Sequence, residues 1–196
     1  MRIICGKNKG RHIKAPDNLP VRPTTDMAKE SLFNILNNYF YFEAVTVIDL
    51  FAGTGNVSLE FASRDVVSVL AVDIHQPCVN FIKKMAGELK YLNLTAIKAD
   101  AFQFLEHQKL PVDIIFADPP YDMEGIEKIP QLVFERNLLK PDGWLVIEHK
   151  KEVDFSSHPK FYQHRHYGRV NFSFLVNMSE TEETKPQPQP QPQPEG

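Results

Sequence analysis

A chain of 196 residues, 42% of them hydrophobic, can bury one good core and is expected to form a single main domain. Two cysteines, Cys5 and Cys78, make no disulfide framework, and no apolar run approaches bilayer length. Secreted scaffolds and membrane-spanning proteins are therefore disfavoured, and the cytoplasm is the expected compartment. The formal charge of −3 argues against a nucleic-acid partner only because it averages over unlike segments. Glu180, Glu182, Glu183 and Glu195 against Lys185 make the last 17 residues acidic, leaving 21 basic and 21 acidic residues before them. Residues 1–30 carry a net +4 from Arg2, Lys7, Lys9, Arg11, Lys14, Arg22 and Lys29 against Asp17, Asp26 and Glu30. A basic segment on a neutral body suits phosphate.

In chain order, Arg2–Cys5 and Arg11–Lys14 flank Gly6-Lys7-Asn8-Lys9-Gly10 and predict a small hairpin with a basic tip. An extended linker runs to Pro23, and Thr24 or Thr25 is placed to cap a helix reaching about Tyr39. Met27, Leu32, Ile35 and Leu36 recur in it at roughly helical spacing. From Ala44 strands and helices alternate: strands over 45–50, 67–72, 94–98 and 112–117, helices over 57–63, 77–90, 101–106 and 126–135. After a turn at Lys140-Pro141-Asp142-Gly143 comes a buried strand over 144–148, then a closing antiparallel hairpin, 161–167 and 170–176, around Gly168. Repeated βα units predict a mostly parallel sheet covered on both faces. The division is a basic extension at 1–43, a central domain at 44–178 and a solvated acidic and Pro-Gln tail at 179–196.

Chemistry-bearing residues gather at the carboxyl ends of the predicted strands. The first strand ends in Asp49-Leu50-Phe51-Ala52-Gly53-Thr54-Gly55, where two glycines let backbone approach a ligand closely. A dinucleotide fingerprint wants a third glycine at position 58, which is Ser58, and Asp49 would repel a pyrophosphate. A carboxylate there suits the ammonium of an amino-acid moiety, pointing to S-adenosylmethionine; a plain strand–helix turn is the bland alternative. Asp73, with Ile74 behind it, lies 18 residues after Gly55, near the ~20-residue offset of a ribose-binding acid. Asp100 with Ala101, after the third strand, is placed for an adenine edge. Each acid alone could equally be a helix cap or strand end. The histidines show no metal-ligand spacing, so no metal is expected.

The fourth strand ends in Asp118-Pro119-Pro120-Tyr121. Proline lacks an N–H and fixes φ, so this corner is rigid and rich in acceptors. Beside an aromatic ring, that suits a flat base carrying an exocyclic amine. Asp118 and the Pro119 carbonyl would take the amine's N–H groups, aiming its lone pair at an activated methyl, while Tyr121 stacks on the base. Arg22-Pro23-Thr24-Thr25 could bind phosphate, close over the cofactor, or pair with a core acid.

Taken together, Arg2-Ile3-Ile4 with Gly6-Lys7, Gly10-Arg11, Arg22-Pro23-Thr24-Thr25-Asp26, the Asp49–Gly55 turn and Asp118–Tyr121 resemble the RsmD family. These are bacterial 16S ribosomal RNA guanine-N2 methyltransferases acting on nucleotide 966. The resemblance implies a seven-stranded methyltransferase fold with an antiparallel last strand and S-adenosylmethionine as donor. It implies small-subunit ribosomal RNA, in a subunit or an assembly intermediate, as partner, and a monomeric enzyme. Asp49, Phe51, Ala52, Gly53, Thr54, Gly55, Asp73, Ile74, Asp100, Ala101 and Asp118 would contact the cofactor. Asp118, Pro119, Pro120 and Tyr121 would handle the base, and Arg2, Lys7, Lys9, Arg11, Arg22, Thr24 and Thr25 the RNA. Where the family often has a basic residue after Asp26, Met27 stands here. The rivals are an adenine-N6 methyltransferase of DNA or RNA, for which no target-recognition insertion is visible, and a non-catalytic RNA-binding assembly protein, which intact Asp49, Asp73 and Asp118 oppose. An NAD-dependent reductase is a distant third.

Overall fold

The computed structural model describes residues 1–16 and 26–179, so Arg22, Thr24, Thr25 and the Pro-Gln tail lie outside the described residues. Helix α1 spans Asp26–Leu36, and strand β1, Thr46–Leu50, leads through the glycine turn into α2, Asn56–Ser63. Then follow β2 (Ser68–Asp73), α3 (Gln76–Glu88), β3 (Leu94–Lys98), α4 (Ala101–His107), β4 (Val112–Ala117) and α5 (Lys128–Glu135). Strands β5 (Leu139–His149), β6 (Phe161–Tyr167) and β7 (Val170–Val176) complete one seven-stranded sheet.

The strand order is β3-β2-β1-β4-β5-β7-β6. The first five of these strands pair in parallel, and β7 runs antiparallel between β5 and β6. This is the sheet that the resemblance implies, seven-stranded and mostly parallel with an antiparallel last strand. Alternation along each strand sorts the core into two layers. Val47, Val69, Ala71, Ile114, Phe116, Trp144 and Val146 face α1, α2 and α3, whereas Ile48, Leu50, Val72, Ile115, Ala117, Leu145 and Ile147 face α4 and α5. Strands such as Thr46-Val47-Ile48-Asp49-Leu50 are covered on both sides, which is why they read as apolar runs. Among the described residues no helix is long and apolar enough to cross a membrane.

The expected amino-terminal hairpin forms: beside an antiparallel Arg2–His12 bridge, Ile3 N–H donates to the Arg11 carbonyl at 3.0 Å, Gly10 N–H to the Ile3 carbonyl at 2.8 Å and Ile13 N–H to the Met1 carbonyl at 2.9 Å, while the Ile4 and Cys5 N–H groups turn to α2. Two expectations need correction. Helix α1 buries Ala28, Lys29, Leu32, Phe33 and Leu36, while Met27 is exposed; the apolar stripe was misassigned because a lysine stands in it. The turn at Lys140–Gly143 is absorbed into β5 as an irregularity, with Asp142 at φ 60° and the pairing with β4 jumping from Val112–Leu139 to Ile114–Trp144.

The lysine in that stripe has a purpose. Lys29 Nζ donates to the Arg2 carbonyl at 2.6 Å and to Asn56 Oδ1 at 2.8 Å, and lies 3.6 Å from the buried Glu60 carboxylate. Burial pulls its pKa down, opposed by the charges of Glu60 and Asp26. Glu60 in turn accepts the Ile4 and Cys5 N–H groups at 2.7 and 3.0 Å and pairs with Arg64. One carboxylate thus fastens the amino-terminal segment to α2. At its far end Gly6 presses so close to α2 that a Cβ would fall 1.8 Å from the Ser63 carbonyl oxygen, so only glycine fits.

Candidate active site

The glycine turn between β1 and α2 folds back on itself. Ala52 N–H donates to the Val72 carbonyl at 3.0 Å and Gly55 N–H to the Ala52 carbonyl at 2.7 Å. Phe51, Gly53 and Gly55 all take positive φ, and a Cβ on Gly55 would lie 2.7 Å from the Ile82 side chain of α3. Asp73 locks the turn: its Oδ2 accepts from Gly53 N–H and its Oδ1 from His75 N–H, both at 2.7 Å. A carboxylate oxygen has two lone pairs, so Oδ2 keeps room for a ribose hydroxyl, whereas Oδ1 also lies 3.2 Å from His75 Nδ1.

Asp49 is 1% exposed, and the Ser58 hydroxyl donates to it. Burial pushes its carboxyl up to about 7; the Ser58 hydrogen bond works against this, and the charges of Asp118 and Asp73 add to it. Ser58 therefore does more than break a dinucleotide fingerprint, since it anchors the acid beneath the turn. Asp100 Oδ1 accepts the Phe102 and Gln103 N–H groups at 3.0 Å, so this acid caps α4. Ala101 is buried in the first turn of that helix; Ile74 is half exposed, and the Phe51 and Phe102 rings meet edge to face at 6.4 Å. A buried carboxylate for an ammonium, an acid with a spare lone pair for ribose and apolar surface for a purine form a donor set that fits S-adenosylmethionine.

The second half of the site is a cleft at the ends of β4 and β5. Asp118, Pro119, Pro120 and Tyr121 form one wall; Glu148, His149 and Lys150, with Val153, Met123 and Ile126, form much of the rest, and Arg169 reaches in from the β6–β7 turn. Asp118 N–H donates to Leu50 O at 3.4 Å, which ties this corner to the last residue before the glycine turn. Tyr121 is 67% exposed, an aromatic ring offered to the opening. Phe116 pairs with both Asp49 and Val146, so Asp118 and Glu148, two residues further on, continue the same face of the sheet as Asp49.

His149 is buried, its Nδ1 2.8 Å from the Lys150 carbonyl and its Nε2 2.8 Å from the Ser173 hydroxyl. A carbonyl only accepts, so Nδ1 carries the proton and Nε2 accepts from Ser173. Burial lowers its pKa, which favours the neutral ring. Glu148, His149 and Arg169 were missed in the sequence. Nothing marks a charged residue at the end of a buried strand, or in a hairpin turn, as facing the same cleft until the strand order is known.

The candidate RNA contacts sit elsewhere. Lys7 pairs with Asp65 and its N–H donates to the Ser63 carbonyl at the far end of α2, about 12 Å of helix from the glycine turn. Lys9 is exposed in the same loop, and Arg2 lies 3.8 Å from Asp26. Arg11 and Lys14 line a groove against α3 that Lys84 faces. The chain's beginning touches the donor turn: the Thr54 hydroxyl donates to the Met1 sulfur at 3.6 Å.

The sequence matches the family described as conserved hypothetical protein 95 over residues 1–176. It is 32% identical to the ribosomal RNA small subunit methyltransferase D of Escherichia coli over 148 residues, 76% of this chain and 71% of that protein. It is 33% identical to the protein of the same name from Haemophilus influenzae over 156 residues, 78% and 80% of the two chains. Among solved structures, Escherichia coli yhhF superposes with a TM-score of 0.78 at 26% identity, covering 92% of this chain and 99% of that one. A Salinibacter ruber RNA methyltransferase in complex with S-adenosyl-L-homocysteine shares the fold, with a TM-score of 0.63 at 14% identity over 83% and 97% of the chains. The donor is S-adenosylmethionine, and the chain is a methyltransferase of the conserved hypothetical protein 95 family, to which the RsmD proteins belong.

Proposed function

We propose that this enzyme methylates the exocyclic N2 of a guanine in small-subunit ribosomal RNA, nucleotide 966 by analogy with the family, acting as a cytoplasmic monomer. The observation that carries the reading is the adjacency of two strand ends: Asp118-Pro119-Pro120-Tyr121 follows β4 directly beside the glycine turn that follows β1. S-adenosylmethionine, when bound, supplies a methyl group activated by its sulfonium.

The protein's contribution is position. Asp49 would hold the donor's ammonium, Asp73 its ribose, and Ile74 with the Phe51–Phe102 surface its adenine, with Asp100 and Ala101 at the rim. A guanine amine is a weak nucleophile because its lone pair is delocalised into the ring. Asp118 and the Pro119 carbonyl would accept its two N–H groups, favouring a pyramidal nitrogen with the lone pair turned toward the donor. Well-oriented reactants gain about 7–11 kcal/mol, so no strong base is needed at the outset. The nitrogen sheds its proton once it carries positive charge, and Asp118 stands ready to hold it. Tyr121 stacks on the extruded base. Residues 1–43 would grip RNA while 44–178 perform the chemistry.

The test is incubation of labelled S-adenosylmethionine with small-subunit particles from a strain lacking the enzyme, followed by nucleoside mass spectrometry. N2-methylguanosine is expected. N6-methyladenosine, or label in protein only, overturns the reading.

A further inference from the structure

We infer that Glu148 reads the base: its carboxylate accepts the guanine N1–H next to the amine held at Asp118, and so selects guanine over purines whose N1 is an acceptor. The inference rests on the guanine-amine reading above. It concerns how the cleft distinguishes purines, which the Asp-Pro-Pro-Tyr corner alone does not do, since that corner would serve adenine's amine equally well.

Three observations converge. Glu148 lines the same cleft as Asp118, Pro119 and Tyr121. Ala117 pairs with Ile147 in parallel register, so Asp118 and Glu148 are the next residues of adjacent strands and share one face. Adjacent strands lie about 4.8 Å apart, which brings both carboxylates to one edge of one base. The strand order then places β7 beyond β5, and Arg169, immediately before β7, lines the cleft on that side. Across the cleft the groups therefore run acceptor, acceptor, donor: Asp118, Glu148, Arg169. The guanine edge runs N2–H donor, N1–H donor, O6 acceptor, its complement in the same order. Adenine offers a donor amine and then a bare N1, whose lone pair would face the Glu148 carboxylate. Such unmatched polar groups are the strongest source of discrimination available to a binding site.

The experiment uses small-subunit particles assembled with either guanine or 2-aminopurine at the modified nucleotide. 2-Aminopurine keeps the N2 amine but presents N1 as an acceptor and lacks O6. The wild-type enzyme should favour guanine by about 10- to 100-fold in kcat/KM, the range of a hydrogen bond to a charged group. In Glu148→Gln the side-chain amide can donate to the bare N1, so the guanine preference should fall at least about tenfold, with S-adenosylhomocysteine binding unchanged by calorimetry. Equal loss on both substrates in Glu148→Gln would assign the residue a structural role and overturn the inference. So would a wild-type enzyme that uses both bases equally, a result that needs no variant to fold. Failure of the wild type to modify guanine at N2 at all would instead defeat the reading of the reaction.

Discussion

The two halves of the site are built to different standards. On the donor side every residue of α2 is buried, the glycine turn is stitched to β2 by Asp73 and Val72, and Asp49 is sealed beneath it. On the acceptor side Tyr121 and Pro120 stand exposed, and the cleft wall is completed by a hairpin turn. The donor is one small molecule and demands a fixed mould. On the reading proposed above the acceptor is a base carried by a large RNA, so its half stays open and leaves shape selection to a few polar groups.

Changing each half in turn should separate binding from chemistry. Gly55→Ala strikes the donor mould, forcing a side chain into positive φ at about 1–2 kcal/mol and into Ile82 at about 1–3 kcal/mol. Thermal unfolding should show a stability loss of about 2–5 kcal/mol, and calorimetry should show S-adenosylhomocysteine uptake abolished. Asp118→Ala, at a residue that faces both halves, should weaken that uptake far less than Gly55→Ala while kcat in a methyl-transfer assay falls about 10²–10³-fold, the usual cost of losing one preorganised polar group. Equal damage to donor binding would merge the two halves. Tyr121→Ala should cost about 1–3 kcal/mol, read mainly in KM for the RNA, because stacking holds the base and not the methyl.

The gentlest probe is pH. With its carboxyl raised to about 7, Asp49 is largely protonated in the free enzyme below that value. A ligand ammonium needs the charged form, so S-adenosylhomocysteine affinity should drop up to about tenfold per unit as pH falls below 7, with proton release detectable by calorimetry in two buffers. The sign for stability is the reverse. A carboxyl raised above its unfolded value stabilises the free fold at low pH, and that contribution is lost as pH rises through about 7. Ligand-induced gains in Tm should therefore be larger at pH 8 than at pH 6.

Much of this was readable from the chain alone, for a physical reason. Strand–helix alternation is periodic, and both the glycine turn and Asp118–Tyr121 compress their chemistry into a few neighbouring residues. Asp49, Gly53, Asp73 and Asp118 lie at the carboxyl ends of strands, the rim where open α/β sheets gather ligands, so their placement was legible. The partnership of Lys29 with Glu60 escaped because it joins residues 31 apart whose charges look like ordinary surface chemistry. Its signal was present: positions 29, 32, 33 and 36 form a helical stripe, and a cation within it implied a buried anion. Asp100 was ambiguous on paper between ligand contact and helix cap, and its two backbone hydrogen bonds show the cap.

The reversed direction of β7 has one further effect. Since β6 climbs alongside β5 and β7 descends between them, the two-residue link Gly168-Arg169 emerges at the ligand rim and not at the opposite end of the sheet. That link hangs on the acceptor wall and takes no part in holding the glycine turn. On the reading proposed above, variation in its length or charge is free to retune which nucleic acid is admitted while the glycine turn stays as it is.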